Sequence, residues 1–297
     1  MKIPKVSVVT TCYNSERFLR EAIDSILNQT FTDFEYIIWN DGSTDRTEEI
    51  VKSYNDPRIR YFKTENQGVG SAAHAACAVA KGEYIARLDD DDICFPQRLE
   101  KEVYFLDTHP DYVLVSCLFE YIDEHDRVFG QCVYPCTSKA IKKRLNILHS
   151  GAVYRKSAYE QCGGYVNVRM GLDKILWGRM AKYGKYANLP EILVQYRIQH
   201  LSIGRKLREP NYNNILGMLM TKIINDDKVN PEDVAVYNKV WKMNMEVSKS
   251  LPDFITKSVL VRRQQAIVNI LSKIIGNKTA TKLLSKLKSI LIDMGIV

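Results

Sequence analysis

Four consecutive carboxylates, Asp89 to Asp92, are the residues whose types and spacing most clearly suggest chemistry. They follow a mostly apolar segment, residues 84–88, which predicts a buried strand. In an extended chain residues two apart point to the same side, so Asp89 and Asp91 can converge on one bound group. A hard divalent cation, Mg²⁺ or Mn²⁺, would relieve the repulsion among them, because such ions prefer oxygen ligands and often share them with substrate phosphates. A solvated acidic loop or a helix N-terminus is the alternative interpretation.

The elements that position these carboxylates alternate between strands and helices through the first half of the chain. Strands are predicted at Val6–Thr11, Phe34–Trp39, Ile59–Lys63 and residues 84–88, with helical periodicity between them. Strand–helix units of this length predict an α/β fold whose mostly parallel central sheet has helices on both faces. Ligands bind such sheets at the carboxyl ends of the strands, so we expect a crevice lined by residues 11–14, 40–44 and 89–92.

The second half of the chain has a different pattern and ends in a helical region. Helices are predicted at 97–106, 140–148 and 173–183, and extended segments at 112–121, 128–134, 151–155 and 193–198. Beyond Gly204 the spacing of apolar residues is helical almost throughout. We therefore predict one α/β domain over residues 1–204, with halves of about 1–110 and 111–204, followed by a helical C-terminal region over 205–297.

The composition is that of a globular protein rather than a disordered or membrane-spanning chain. Of the 297 residues, 45% are hydrophobic and 26% are charged. The seven cysteines are scattered without paired spacing, which is typical of reduced thiols in the cytosol. The first residues predict a strand rather than a signal peptide, and no apolar run reaches the length that spans a bilayer. We therefore expect a cytoplasmic protein.

Several motifs follow one another in an order that is similar to that of a known family. They lie at residues 6–14, 40–45, 82–92, 149–155, 163–165, 173–177 and 189–200. Together they resemble the inverting nucleotide-sugar glycosyltransferases of glycosyltransferase family 2, which have a GT-A fold. The resemblance covers about residues 4–204, and it implies that the first half of this domain binds the nucleotide and the second half binds the acceptor.

The resemblance implies that Asp91 and Asp89 bind Mn²⁺ or Mg²⁺ and that Asp173 is the catalytic base. The cation would neutralise the charge that develops on the nucleoside diphosphate as the glycosidic bond breaks. A base is needed because an acceptor hydroxyl is a poor nucleophile at neutral pH until a carboxylate takes its proton. The alternative for Asp173 is a purely structural role as the N-cap of a helix.

The resemblance also implies a nucleotide site that contains Thr11, Tyr13, Asp41 and Asp89. Thr11 and Tyr13 would position the nucleoside by hydrogen bonding and stacking, and Asp41 would accept a hydrogen bond from the base or the ribose. This arrangement favours a uridine-type donor. Two structural alternatives stay open, because Asp41 suits the Asp-Gly turn that it begins, and Tyr13 could be a buried aromatic residue.

Three further residues are candidates for contacts with the acceptor or the diphosphate, namely Trp177, His149 and His200. Trp177 could instead pack in the core, since a large aromatic side chain contributes most where it is buried. Each histidine could instead be a residue that only satisfies hydrogen bonds within the fold.

Three positions depart from the family pattern. Leu172 stands where an acidic residue usually precedes the base, and His74 stands where the family usually has Asn. Gln199 takes the place of the closing histidine, so that His200 comes one residue later. None of these changes affects the acidic run or the predicted base, and we therefore expect an active enzyme. The alternatives are a partner protein of the same fold with impaired catalysis and a sugar-nucleotide-forming nucleotidyltransferase, although residues 11–15 lack the glycine-rich, Arg-containing loop of the latter.

The resemblance predicts transfer of a sugar from a UDP-linked donor to a hydroxyl of a glycan or lipid-linked acceptor, with inversion, in cell-surface polysaccharide synthesis. The C-terminal segment, residues 251–297, carries eight Lys or Arg against two Asp and two apolar helical faces. These faces predict either a helical bundle, packed on the catalytic domain or on a second subunit, or a basic amphipathic helix on an anionic membrane surface at the inner face of the cell membrane. Nucleic acid binding is not expected, because the charge excess is small and lacks interleaved aromatic residues.

Overall fold

The computed structural model describes residues 3–168, 170–199, 220–221, 223–225, 229–235 and 237–238. The strands are β1 (Val6–Cys12), β2 (Phe34–Asn40), β3 (Ile59–Lys63), β4 (Tyr84–Arg87), β5 (Ile93–Cys94), β6 (Tyr112–Ile122), β7 (Val128–Cys132), β8 (Val153–Arg155) and β9 (Lys185–Arg197). The helices are α1 (Leu19–Leu27), α2 (Thr47–Lys52), α3 (Val69–Ala78), α4 (Arg98–Thr108), α5 (Ser138–Arg144), α6 (Lys156–Gln161) and α7 (Leu172–Met180).

The strands in the described part of the chain form a single sheet with the order β3-β2-β1-β4-β8-β6-β9-β5, and β7 pairs with β6 beside this path. In the first half, β1 pairs in parallel with β2 and β4, and β2 pairs in parallel with β3. In the second half the pairing is mixed, because β6 and β9 are parallel whereas β8, β5 and β7 join antiparallel. The predicted α/β class is confirmed, and the parallel pairing is concentrated in the first half.

Both faces of β1, β2 and β4 are buried, which explains their mostly apolar sequence, whereas the edge strand β3 is only half-buried. Successive side chains of a strand point to opposite faces, so Val8 of β1 packs in one core cluster and Val9 in the other. The long apolar residues of α1 cover the first face, and the small residues of α3 cover the second. The sheet therefore holds the loops that follow its strands on a rigid base.

The structure differs from the predicted elements mainly around β9. This strand begins at Lys185, eight residues earlier than predicted, and its pairing with β6 shifts between Leu189 and Ile192. Pro190 lies within this shift. Because proline has no N–H group to donate to the strand pairing, it interrupts the regular alternation of residues from which the strand was predicted. The two-residue strand β5 and the short helix α6 were not predicted either, since each depends on pairing or packing with distant residues.

The described helical residues beyond position 219 pack against α7 and the loop before it. The Tyr237 hydroxyl donates to the carbonyl oxygen of Met170 over 2.9 Å, and Arg179 Nη1 donates to the carbonyl oxygen of Ile223 over 3.0 Å. No helix in this part of the chain, or elsewhere in the described ranges, is long and apolar enough to cross a membrane. The predicted boundary at 204/205 and the basic segment 251–297 lie outside the described residues.

Candidate active site

A cleft of about 1200 Å³ lies at the carboxyl ends of β1 and β4. Its walls include Tyr13, Asp89, Asp91, His149 and Asp173. These five residues come from four separate segments of the chain. The structure therefore brings together most of the residues that the sequence singled out, at the edge of the sheet where a ligand crevice was expected.

Asp89 is held by three neighbours directly after β4. Its main-chain N–H donates to Ser150 Oγ over 2.9 Å, and the buried Arg87 donates from Nη2 to Asp89 Oδ1 over 3.2 Å. His149 Nδ1 lies 3.3 Å from Asp89 Oδ2. Burial acts to raise the pKa of Asp89, but His149 and Arg87 outweigh it and hold that pKa well below its usual range. Asp89 is therefore an ionised carboxylate in a fixed orientation.

His149 connects Asp89 to the aromatic core of the second half. Its Nε2 lies 2.8 Å from the Tyr165 hydroxyl oxygen, so both ring nitrogens have a partner. The structure thus supports the hydrogen-bonding role that the sequence left open, although the imidazole also lines the cleft. Its position suits a residue that orients Asp89.

The other three carboxylates of the run have different partners. Asp90 accepts a hydrogen bond from Ser15 Oγ, and Asp91 Oδ2 accepts one from Gln199 Nε2 over 2.6 Å. Asp92 is fully buried and accepts from the main-chain N–H of Arg197 over 2.8 Å. Burial and the neighbouring carboxylates raise the pKa of Asp90 to about 7 and that of Asp91 to about 6. The run is therefore a strained cluster of negative charge rather than a freely solvated loop.

The donor set of this cluster fits a divalent cation that is shared with a ligand. Within the residues that the structure describes, no three His, Cys, Asp or Glu side chains are arranged to hold a metal by themselves. Mg²⁺ nevertheless binds commonly through one or two carboxylates together with substrate phosphates. Asp91 and Asp89 both line the cleft, and their mutual repulsion would be lowered by a cation. They are the residues that would hold it.

Of the predicted nucleotide-binding residues, Tyr13 lines the cleft, whereas Asp41 and Thr11 do not. Tyr13 is 52% exposed and lines the cleft, so it is not a buried aromatic residue and its ring can stack on a ligand. Asp41 is buried, and its two carboxylate oxygens accept from the main-chain N–H groups of Gln67 and Gly68 over 2.8 and 2.9 Å. Its observed role is to fix the loop that leads into α3. Thr11 Oγ1 accepts from Arg87 over 3.4 Å and, like Asp41, does not line the cleft.

Asp173 is the second residue of α7 and lines the cleft beside Leu172. The N-cap of α7 is Gly171, whose φ of 69° lies in the left-handed region that favours glycine, and no side chain caps the helix. The structure therefore does not give Asp173 the N-cap role that the sequence left open. Its carboxylate is instead available to the cleft.

The structure places Trp177 in the core and not on the wall of the cleft. Its side chain is fully buried, with ring centroids 5.6 Å from Tyr154 and 6.2 Å from His149. The predicted acceptor contact is not met, because α7 turns the indole into the core, and Trp177 takes the packing role. His200 lies outside the described residues, while Gln199 beside it contacts Asp91 directly. His74 lies 3.5 Å from the Tyr159 hydroxyl oxygen and does not line the cleft.

The sequence analysis did not single out the aromatic residues of β6, β7 and β9 that line the same cleft. Phe119 and Tyr121 are two apart on β6, and Phe129 on the neighbouring strand stacks on Tyr121. The sequence did contain a signal for Phe119 and Tyr121, because aromatic residues two apart on a strand share a face. It could not be used without the pairing of β6 with β7 and β9, which brings these side chains together.

Comparison with known proteins adds an independent finding. The family model described as Glycosyl transferase family 2 matches residues 7–163. The putative glycosyltransferase EpsE of Bacillus subtilis is 36% identical over 220 residues, which are 71% of this chain and 78% of EpsE. The chondroitin synthase of Pasteurella multocida is 46% identical over 101 residues, which are 33% of this chain and 10% of that protein.

Two solved structures show the fold. S. aureus TarS in complex with UDP-GlcNAc has a TM-score of 0.64 at 19% identity, covering 91% of this chain and 80% of that chain. The mannosyltransferase PcManGT from Pyrobaculum calidifontis, in complex with GDP-Man and Mn²⁺, has a TM-score of 0.59 at 16% identity, covering 98% of this chain and 81% of that chain. These likenesses confirm the GT-A fold.

Proposed function

The chain belongs to glycosyl transferase family 2, and from that membership we propose that it moves a sugar from a nucleoside-diphosphate sugar to a hydroxyl of a glycan or lipid-linked acceptor, with inversion. One observation carries the proposal. Tyr13, the first three carboxylates of the acidic run (Asp89 to Asp91) and Asp173 come from distant parts of the sequence and line one cleft. Cell-surface polysaccharide synthesis is the proposed setting, and the similarity to a chondroitin synthase supports it.

The leaving diphosphate is the first chemical problem that the site has to solve. Asp91 and Asp89 would hold Mn²⁺ or Mg²⁺ together with the diphosphate oxygens, and such a cation supplies charge neutralisation as a Lewis acid. His149 and Arg87 keep Asp89 ionised and oriented for this task. The Mn²⁺ in the complex of PcManGT supports the choice of cation.

The acceptor hydroxyl is the second problem. In the proposed reaction the hydroxyl oxygen forms a bond to the anomeric carbon from the face opposite the diphosphate, while the bond to the diphosphate oxygen breaks. The hydroxyl proton moves to the Asp173 carboxylate, which needs no second carboxylate for a single displacement. The exposure of Asp173 to the cleft and the absence of a capping bond at α7 support this role.

Tyr13 would stack on the base of the donor nucleotide, since its ring is half exposed on the wall of the cleft. Thr11 and Asp41 would act more remotely, Thr11 through Arg87 and Asp41 through the loop at Gln67 and Gly68. A uridine nucleotide is the proposed donor, and the complex of TarS with UDP-GlcNAc supports it. The GDP-Man complex of PcManGT makes GDP-sugars the comparison that a test must include.

A thermal-shift screen of UDP-sugars and GDP-sugars with Mn²⁺ tests the proposal. A ligand that binds only the native state raises its apparent stability, by about 2.7 kcal/mol at one hundred times its Kd. We expect a UDP-sugar to raise the melting temperature in the presence of Mn²⁺ and the protein to hydrolyse that donor slowly in the absence of acceptor. Binding without hydrolysis or transfer would instead identify a partner protein with impaired catalysis. Failure of every nucleotide sugar to bind would refute the proposal.

We also propose that the protein acts on the cytoplasmic side of the cell membrane and contacts its anionic surface through residues 251–297. The support is the local excess of basic residues in a segment with apolar helical faces. Sedimentation with liposomes of anionic and of zwitterionic lipid tests it, with a variant that lacks residues 251–297 as control. The full-length chain should sediment with anionic liposomes at low salt only. If it does not, the segment belongs to a helical bundle or a subunit contact.

A further inference from the structure

Four aromatic side chains line the cleft, and we call them the aromatic wall, namely Tyr121, Phe129, Tyr134 and Tyr196. Behind it lies the buried Phe119, whose ring centroid is 5.2 Å from that of Tyr121, 5.4 Å from Tyr134 and 5.6 Å from Tyr196. Phe129 stacks on Tyr121 with ring centroids 5.8 Å apart and an interplanar angle of 20°. Phe119 thus supports the wall from within, and its outer members face the cleft.

The pairing of strands in the second half of the sheet forms the aromatic wall. Its members come from β6, from β7 and the residues after it, and from β9, and β6 pairs with both of the other strands. Phe129 is 59% exposed although it belongs to this cluster. Exposing a large aromatic side chain has no benefit for folding, so its place beside three tyrosines in a cleft indicates a surface that a ligand covers.

The wall shares its cleft with the carboxylate that we propose as the base. Asp173 and all four members of the wall line the same cleft. Burial raises the pKa of Tyr134 and of Tyr196, and the Asp173 carboxylate contributes to the increase in both. The contribution of Asp173 is consistent with the shared cleft, because the interaction of two groups weakens with distance. A molecule that packs on the wall therefore occupies the same cleft as Asp173.

The chemistry of the wall suits a sugar ring. One face of a pyranose presents several C–H groups of slight positive charge, and these pack against the negative π face of an aromatic ring. The hydroxyl groups at the edge of the sugar need partners, and three members of the wall carry a hydroxyl of their own. A lipid chain would instead require a continuous apolar surface, whereas this cleft also contains Gln199 and the acidic run.

We propose that the aromatic wall is the acceptor subsite and that the acceptor presents a sugar ring to it, with the hydroxyl that reacts directed at Asp173. This inference rests on the proposed function and names the chemical class of its acceptor. It assigns to Phe129 and its neighbours the acceptor contact for which Trp177 was a candidate in the sequence. The terminal sugar of a glycan fits the wall, whether that glycan is free or lipid-linked.

Phe129→Ala is the variant that tests the wall, and Val133→Ala is its matched control. Phe129 is 59% exposed and Val133 is 78% exposed, so neither change should disturb the fold, which circular dichroism verifies. Val133 lies four residues further along the same segment but does not line the cleft. The probes are the methyl glycosides of glucose, galactose, N-acetylglucosamine and N-acetylgalactosamine, used as acceptors for transfer and as ligands in saturation-transfer NMR.

We expect Phe129→Ala to weaken the binding of the acceptor but not that of the donor. The acceptor KM of the best glycoside should rise about 3- to 10-fold in Phe129→Ala, while the donor Kd should stay within twofold. Phe129→Tyr should restore the acceptor KM, because it keeps the stacking ring. Val133→Ala should match the parent in both quantities. In NMR, saturation transfer to the C–H protons of the glycoside should weaken in Phe129→Ala.

Other outcomes would overturn the inference. An increase in donor Kd with unchanged acceptor KM would place the wall in the donor site. Equal effects of Phe129→Ala and Val133→Ala, or no binding of any methyl glycoside to the parent protein, would show that the wall is not a sugar subsite. The NMR experiment needs no donor, so glycoside binding that depends on Phe129 would stand even if no nucleotide sugar were bound, and the two proposals can fail separately.

Discussion

Arg197 Nε donates a hydrogen bond to the main-chain carbonyl oxygen of Asp91 over 2.8 Å. The same guanidinium pairs with Glu21 of α1 over 2.6 Å and with Asp126, in the turn before β7, over 2.5 Å. Its side chain has no exposed surface, and it packs 4.2 Å from the centroid of the Phe18 ring. Arg197 therefore connects the acidic run to α1 and to the β6–β7 turn. Its hydrogen bond to the carbonyl oxygen holds the main chain at Asp91 in place.

Replacing Arg197 by lysine should weaken both the fold and the reaction. Lysine keeps the charge but cannot direct donors to the Asp91 carbonyl, Glu21 and Asp126 at once. We expect a loss of about 2–4 kcal/mol in the free energy of unfolding and a fall in kcat larger than any change in donor Kd. Urea denaturation and steady-state rates below the new melting temperature measure the two effects.

Arg127→Lys is the matched control for Arg197→Lys. Arg127 binds Asp123 in the same turn over 2.7 Å, but its side chain is 75% exposed. Exposed ion pairs of this kind contribute less than about 1 kcal/mol. If Arg127→Lys and Arg197→Lys had the same effect on kcat, the connection from Arg197 to Asp91 would have no special importance.

The stability of the metal-free protein should decrease as pH rises from 5 to 8. The pKa values of Asp90 and Asp91 are raised to about 7 and about 6 in the folded state, whereas an unfolded aspartate has a pKa of about 3.9. The folded state thus binds protons more tightly, and the resulting stabilisation is complete below the unfolded value and lost as pH rises through 6 and 7. After allowance for solvent screening of these partly exposed groups, we expect a fall of about 1–2 kcal/mol in EDTA.

Asp91→Asn should make this pH dependence shallower, because it removes one of the two groups and lowers the repulsion on Asp90. It should fold at pH 8 at least as well as the parent, yet lose transfer and lose the additional thermal shift that Mn²⁺ gives with UDP. Saturating Mn²⁺ and UDP should also reduce the pH dependence of the parent. Transfer at the parental rate by Asp91→Asn, or by the parent in EDTA, would contradict the assignment of Asp91 to the cation.

Asp173→Asn tests the proposed base. Asparagine is nearly the same size but cannot take the proton of the acceptor hydroxyl, so transfer should fall about 10²- to 10⁴-fold. Stability should barely change, since Gly171 is the N-cap of α7 and no side chain caps this helix. Donor Kd, measured by calorimetry, should match that of the parent. A variant that retains most of its activity would mean that another group accepts the proton.

Tyr13→Ala tests the stacking of the donor base. Stacking of a base on an aromatic side chain is worth about 1–3 kcal/mol, so the Kd for UDP should rise about tenfold or more, and Tyr13→Phe should restore it. Tyr104→Ala is the control, because Tyr104 is 70% exposed on α4 and does not line the cleft. An unchanged Kd for UDP in Tyr13→Ala would exclude a stacking role.

The acidic run shows how much of the site could be predicted from local sequence. An apolar strand followed by charged residues places Asp89 and Asp91 at the end of a buried strand, whatever the rest of the chain does. Likewise, the alternation of strands and helices predicted the α/β class, and the structure has that class. These features depend on hydrophobic period and chain direction, which are properties of neighbouring residues.

Residue type alone could not tell which side chains reach the cleft. Trp177 and Tyr13 are both aromatic residues near a motif, yet one is fully buried and the other is 52% exposed. The rotation of α7 on the sheet turns Trp177 inward, and the exit of the chain from β1 leaves Tyr13 outside. Asp41 was a reasonable ligand by type, but Gln67 and Gly68, more than twenty residues away, already occupy its oxygens.

The sequence by itself determined the α/β class and the position of the acidic run after a central strand, because each depends on contiguous residues, whereas the role of Asp173 as the base came from the family resemblance and stays a proposal. Only the tertiary structure decided that Arg197 fixes the backbone of Asp91 and that aromatic residues of β6, β7 and β9 form one wall. The reason is physical. Both features are made by side chains that are distant in sequence, and their contacts exist only once strand pairing and burial have set the distances between them.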